Sequence, residues 1–481
     1  MPFYAEKLAD FAYAIRSDLE KIPKDVQSKA AERLLDNFGC MLFGLCVEPA
    51  FKTIQVEHEM GVGRCSVIGF ERPTSPTAAA FALGTLAQSF ELNDLGVYVH
   101  PGACVIPAAL AALDHGDKPI SGQLFLASIV AGYEVMVRLS ECVGPSAELD
   151  VGWHTPSFHG AIGASVTAGM LLDLDAATLA QAIVIAADLA GGGLMLARLG
   201  TDVKRMHCGR GAQTGIFAVL MAAHGMKSRL DTFENETWGY CRTITGGTNN
   251  FNLNEMDVAL GKEYIAFDRT GLKYYPVGAE VLGAIDSITL LKNKHQLIPS
   301  NIEKIIVGTP AFFYKAQGHE FPTSPSQIHF NMEYGVAMAM THTILPVYED
   351  SAVLSQWLQG YKNPEVAEMA LRVSHVVDED LEKKNPYGID SKTTIYLTSG
   401  TKLETQSSYV AKALSLGAMK FSPMQSDKII GKFSSLTQAF FTKKESADLG
   451  QRILDIGRLS DVSELWRDIY QQSLNRVALR D

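Results

Sequence analysis

The sequence predicts a mainly α protein: a large all-helical domain built from both chain ends, with a smaller α+β domain inserted between them. Three observations carry this. From residue 1 to about 260, apolar residues recur at helical spacing in one segment after another. Between about 265 and 405, two short β-branched runs, IEKIIV at 302–307 and TTIYL at 393–397, break that texture. From Ser422-Pro423 onward helical spacing returns in SDKIIGKFSSL. The predicted spans are therefore 1–264 with 406–481 for the helical domain and 265–405 for the inserted one, reasonable for 481 residues.

In chain order, MPFYAEKLADFAYAI is an amphipathic helix, and 26–45 places Ala30, Leu34, Leu35, Phe38 and Met41 on one face. Ser75-Pro76-Thr77 opens an alanine-rich helix running to about Glu91. Helices follow at 103–113, 122–141, 157–172 and 176–190, with small residues every three or four positions, which permits close helix approach. Gly200 to Gly225 organises the rest: Lys204, Arg205, His207 and Arg210 lead into an apolar helix. Its spacing sets Lys204, His207 and Gly211 on one face and Ile216, Leu220 and Ala223 on the stripe that buries. Thr201 or Asp202 is the expected N-cap and His224-Gly225 the stop. Cations in a first turn oppose the helix dipole, so local stability does not explain them; a bound anion would, and a solvated basic helix start is the equal alternative. In the inserted domain helices are expected at 277–294, 330–342 and 364–374, and Ser399-Gly400 reads as a hairpin turn after the second strand.

Composition narrows the function. Hydrophobic residues are 47% and charged ones 20%, which supports a large core rather than disorder. A net charge of −11 and the lack of a basic stripe argue against nucleic acid, and imply that an acidic substrate needs a local cationic pocket. The seven cysteines form no metal-ligand spacing and read as reduced core thiols, so no metal is expected. No membrane span is expected; the nearest approach, 177–199, is broken by Asp188 and Gly191-Gly192-Gly193. The N-terminus has no signal-peptide pattern, and the expected location is cytoplasmic.

Five polar clusters stand out: Glu91-Leu-Asn-Asp94, His100-Pro101-Gly102, GWHTPSFHG with His154 and His159, the Lys204 cluster, and Asn331-Met-Glu-Tyr334. Taken singly, a histidine at a helix start is more often a capping or core residue than a catalyst. Together they hold what removal of a weakly acidic proton beside a carboxylate needs, namely bases, weak acids and cations for the developing charge.

The order of these clusters resembles the MmgE/PrpD family, which includes 2-methylcitrate dehydratase, cis-aconitate decarboxylase and iminodisuccinate epimerase. RCSVIGF with TAAAFALGTLAQSFELND, GWHTPSFHGAIGAS, VKRMHCGRGAQTG, LKYYP, FNMEYGVA and SDKIIGKF carry the resemblance over essentially the whole chain, VKRMHCGRGAQTG most specifically. It implies a helical domain under an α+β lid, a homodimer, and neither metal nor organic cofactor. It assigns His154 and Lys204 as the catalytic pair, with His100, Asp94 and Tyr334 as further catalytic groups. Glu91, Arg205, His207, His159 and Lys273 are the expected substrate-binding residues. The chain departs from the family at Glu91, where many members have Asp, and in having Asn93 before Asp94. It also departs at VGAEVLGAID, where Gly278 and Leu282 stand in the region that commonly holds a histidine. The expected activity is a cofactor-independent lyase on a small citrate- or aconitate-like carboxylate, with dehydration first. Decarboxylation of the cis-aconitate type, epimerisation, and carboxylate binding without catalysis are the alternatives.

Overall fold

A computed structural model describes residues 2–96, 98–408, 410–413 and 419–477. The predicted helical segments are present at Tyr4–Ser17, Lys24–Gly44, Pro76–Gln88, Gly102–His115, Gly122–Val143, Pro156–Leu171, Ala176–Leu189 and Met206–Ala223. Ser75 caps the alanine-rich helix by accepting from the Ala78 N–H at 3.2 Å. That helix stops at Gln88 rather than near Glu91, and Glu91 itself has φ +55°. A left-handed backbone is uncommon for a residue with a Cβ and concentrates at functional sites.

The Met206–Ala223 helix lies among Pro76–Gln88, Pro156–Leu171 and Ala176–Leu189. Two glycines explain the close fit. A Cβ on Gly209 would meet the Phe81 carbonyl oxygen at 2.4 Å, and one on Gly215 would meet Ala164 Cβ at 2.5 Å. Three neighbours leave little of this helix free, so the buried side is Ala212, Ile216, Val219 and Ala222, while Ala223 is exposed. The expected stripe therefore holds only at Ile216 and, in part, Leu220. The capping expectation also needs correcting. Residues Val203–Arg205 form a 3₁₀ turn before the helix, and Thr201 Oγ1 donates backward to the Ala197 carbonyl. The stop is as expected, with Gly225 at φ +86°.

Among the described residues one helix, Gly122–Val143, is long and apolar enough to cross a membrane, but 89% of that window is buried inside the protein. Its Glu134 and Arg138 pair at 3.0 Å within the helical body. The seven cysteines carry no disulfide, and all but Cys46 are buried.

Residues 302–408 carry a four-stranded sheet in the order Val373–Val377, Ile302–Thr309, Asp390–Leu397, Lys402–Ser408, the last strand running past the boundary expected at 405. The first pair is parallel and the others antiparallel, and the expected hairpin turns at Gly400, φ +83°. The expected 364–374 helix ends earlier, at Ala370, because Val373–Val377 pairs with Ile302–Thr309 as a strand. Helices Ala279–His295 and Met332–Thr341 match expectation. The C-terminal Ser426–Thr437 helix lies on Lys24–Gly44, where Gly39 admits Leu436 and Lys432 pairs with Asp36 at 2.6 Å.

Candidate active site

A cavity enclosing about 630 Å³, its open mouth included, lies between helical segments and the residues that follow 270. Glu91, His100, His154, Lys204 and Lys273 all line it, drawn from positions as far apart as 182 residues. Its other wall is apolar: Leu95, Phe313, Ile389 and Phe421 form a small cluster separate from the main core.

Glu91 is the hub. It ends the turn after the Pro76–Gln88 helix, and one carboxylate oxygen takes Lys204 Nζ and Gln88 Nε2, the latter at 3.1 Å. The other takes Lys273 Nζ at 3.0 Å. Burial alone would push the Glu91 carboxyl up, but the two ammoniums hold it well below the usual range. Burial lowers Lys204 to about 8, with Glu91 opposing and Lys273 reinforcing the drop. The group thus keeps two cations against one carboxylate, and the Lys204 ammonium sits 4.7 Å from the centre of the Phe330 ring.

The histidines are held by their neighbours. His100 Nδ1 lies 2.9 Å from the Asp94 carbonyl oxygen, which can only accept, so Nδ1 carries the proton and Nε2 the lone pair. Burial, then the Lys204 and Lys273 charges, bring His100 down to about 3, so it is a neutral imidazole with an open lone pair at Nε2. His154 follows a strand-like contact: its N–H donates to Gly193 O at 2.9 Å, and Pro156 then starts the next helix. Its Nδ1 is 2.8 Å from His207 Nδ1, and burial with the Lys204 charge holds it neutral as well. The His100 and His154 rings are 6.2 Å apart, centre to centre.

The remaining expected residues lie outside the cavity. The Asp94 carboxylate accepts from Tyr133 OH at 2.8 Å and from Gly102 N at 3.0 Å, the latter tying it to the residues just after His100. His207 supports His154, as above. Arg205 Nε donates to Ser89 O at 2.8 Å and lines a smaller neighbouring pocket with Lys204. His159 is a buried imidazole beside Tyr240 OH at 3.0 Å. Tyr334 is also removed from the cavity. Asn331 caps its helix at the Tyr334 N–H, and that first turn points the ring at Trp357, whose carbonyl accepts from Tyr334 OH at 2.5 Å.

Several cavity residues escaped the sequence reading. Arg198, six residues before Lys204, pairs with Glu280 at 2.8 Å and stands 4.7 Å from the centre of the Phe330 ring. Glu280 occupies the start of the Ala279–His295 helix, in the stretch where a histidine was missing. Glu148, in a π-helical turn just before His154, accepts from Thr155 Oγ1 at 2.8 Å, and burial lifts its carboxyl to about 7. Tyr98 has φ +58°, a signal no sequence pattern carries. The available signal was acidic or basic residues in otherwise apolar helix ends, as in MLARLG and GAEVLG. Among the described residues no three His, Cys, Asp or Glu side chains form a group able to hold a metal ion.

The MmgE/PrpD N-terminal domain model matches residues 6–252 and the MmgE/PrpD C-terminal domain model matches residues 275–455. This chain belongs to the MmgE/PrpD family. Among similar proteins, a cis-aconitate decarboxylase of Aspergillus terreus is 26% identical over 93% of this chain and 92% of its own. The cis-aconitate decarboxylase-like protein oryM of Aspergillus oryzae is 33% identical over 50% of this chain and 52% of its own. The mouse cis-aconitate decarboxylase is 22% identical over 91% of this chain and 88% of its own. In this MmgE/PrpD protein four of the segments that carried the resemblance, TAAAFALGTLAQSFELND, GWHTPSFHGAIGAS, VKRMHCGRGAQTG and LKYYP, bring Glu91, His154, Lys204 and Lys273 to one cavity, where His100 joins them.

Proposed function

We propose that this MmgE/PrpD protein is a lyase that cleaves a bond next to a carboxylate of a small di- or tricarboxylate, without a cofactor. The observation that carries the reading is the buried Lys204–Glu91–Lys273 group, one positive charge in surplus, lining the same cavity as two neutral imidazoles. The surplus charge suits a substrate carboxylate and the negative charge that develops when its α-carbon loses a proton. His100, with Nε2 unprotonated, suits the base. His154, sharing a proton with His207, suits the acid that meets a leaving hydroxyl, with Tyr98 and Arg198 as further donors. Dehydration of a hydroxy acid uses all of these groups. Decarboxylation is the second reading, favoured by the activity that the similar proteins' names give, and it needs the same charge stabilisation with one proton delivered at the end.

Following citrate, 2-methylcitrate and cis-aconitate, and the hydroxy dicarboxylates malate and 2-hydroxyglutarate, by proton NMR tests this. Loss of water from a citrate or a hydroxy dicarboxylate supports the first reading and carbon dioxide release from cis-aconitate the second. Turnover of none, with solvent deuterium entering an α-carbon, would move the reading to an epimerase.

A further inference from the structure

Two ionic groups flank Phe330 in the cavity, and they are satisfied differently. In the Glu91 group both carboxylate oxygens have donors. In the second, Glu280 Oε1 accepts from Arg198 at 2.8 Å and from Gln317 Nε2, yet Glu280 Oε2 is buried with no hydrogen-bond partner among the described residues. Arg198 Nε and Tyr98 OH, on two further residues lining the cavity, are orphaned in the same way, as is Oε1 of Gln317, which bonds Glu280 but does not line the cavity. Buried polar atoms are almost always paired, so orphans gathered around one side of a cavity point to a ligand that pairs them. A carboxylate oxygen without a donor asks for a hydroxyl or an ammonium, not for another carboxylate.

The charge count agrees. Lys204, Lys273 and Arg198 face Glu91 and Glu280, with Glu148 titrating near neutrality, so the lining carries at most one net positive charge. A trianion would leave two or more negative charges unmatched in a largely dry site, and Glu280 would repel it directly. We propose that Glu280 is a specificity residue that accepts a hydrogen bond from a hydroxyl or amine on the substrate, which is accordingly a dicarboxylate bearing such a donor rather than a tricarboxylate. This rests on the carboxylate-lyase reading above.

Calorimetry on the full chain tests it with succinate, malate and aspartate, with glutarate, 2-hydroxyglutarate and glutamate, and with tricarballylate. In the wild type a donor-bearing acid binds about tenfold tighter than its unsubstituted parent, as a hydrogen bond to a buried charge allows. Glu280→Met abolishes that preference. Glu280→Gln, which keeps an acceptor but no charge, abolishes it for the amines alone, so it separates an amine substrate from a hydroxy acid. The wild-type ranking is read independently of how either variant folds. Equal binding of substituted and unsubstituted acids, tightest binding of tricarballylate, or an unchanged ranking in Glu280→Met overturns the assignment while leaving the lyase reading intact. Failure of every carboxylate to bind overturns both.

Discussion

Lys432 and Lys204 are equally buried, at 0% and 3% exposure, but their surroundings differ. Lys432 pairs with Asp36 at 2.6 Å and donates to the Leu92 carbonyl at 2.5 Å, a balanced pair within packed helices. Lys204 shares one carboxylate with Lys273, faces a cavity, and has Phe330 on another side. A buried pair that neutralises itself holds two helices in register. A buried group left one positive charge in surplus beside a cavity is the arrangement the proposed anion site rests on. Burial depth by itself does not separate the two lysines.

Four measurements would break or sharpen that contrast. The largest effect is expected from Lys204→Ala, which should lower kcat/KM by about a thousandfold, the scale of losing one charge-stabilising group. Lys432→Met should instead cost about 3 kcal/mol or more in urea unfolding, by stranding Asp36, with kcat per folded molecule unchanged. If both lysines cost activity alike, the distinction fails. Next, His100→Gln should reduce kcat by about a hundredfold with little change in substrate affinity, since it removes the base but not the clamp; a pure affinity loss in stopped-flow binding would contradict that role.

The third concerns pH. Lys204 sits at about 8, below the ordinary value for a lysine, so its cation is present below that pH and is lost as pH rises through it. In the free enzyme kcat/KM should therefore fall above about pH 8, and Lys204→Arg should move that limb upward because guanidinium stays charged. His100, at about 3, sets no limb near neutrality. The smallest effect is expected from Tyr334→Phe. Losing its bond to the Trp357 carbonyl should cost about 1 kcal/mol in stability and leave KM unaltered. A large fall in kcat would return Tyr334 to the active site.

Much of this was legible from residue order. Helical spacing, the Ser75 cap and the β-branched runs marked elements whose local preferences agree with the final fold. Polar islands in apolar surroundings marked Glu91, His100, His154 and Lys204. The reading failed where partners decide. Residues 371–374 continue a helical pattern, but the exposed edge of Ile302–Thr309 captures Val373–Val377 as a strand. Tyr334 belongs to the right segment and faces the wrong way, because a one-residue step along a helix turns a side chain by about 100°. Glu280 and Arg198 looked like ordinary helix-end charges.

The sequence by itself determined the helical body, the two main strand-forming runs, the acidic balance that forces any anion site to be local, and the residue types able to do the chemistry. Those follow from periodicity and composition, which are properties of neighbours along the chain. Only the tertiary structure decided which charges share Glu91, which nitrogen of His100 is free, and that Glu280, with one oxygen unpaired, lines the same cavity as the lysines. Burial and hydrogen-bond partners set those properties, and both come from segments as far apart as 182 residues.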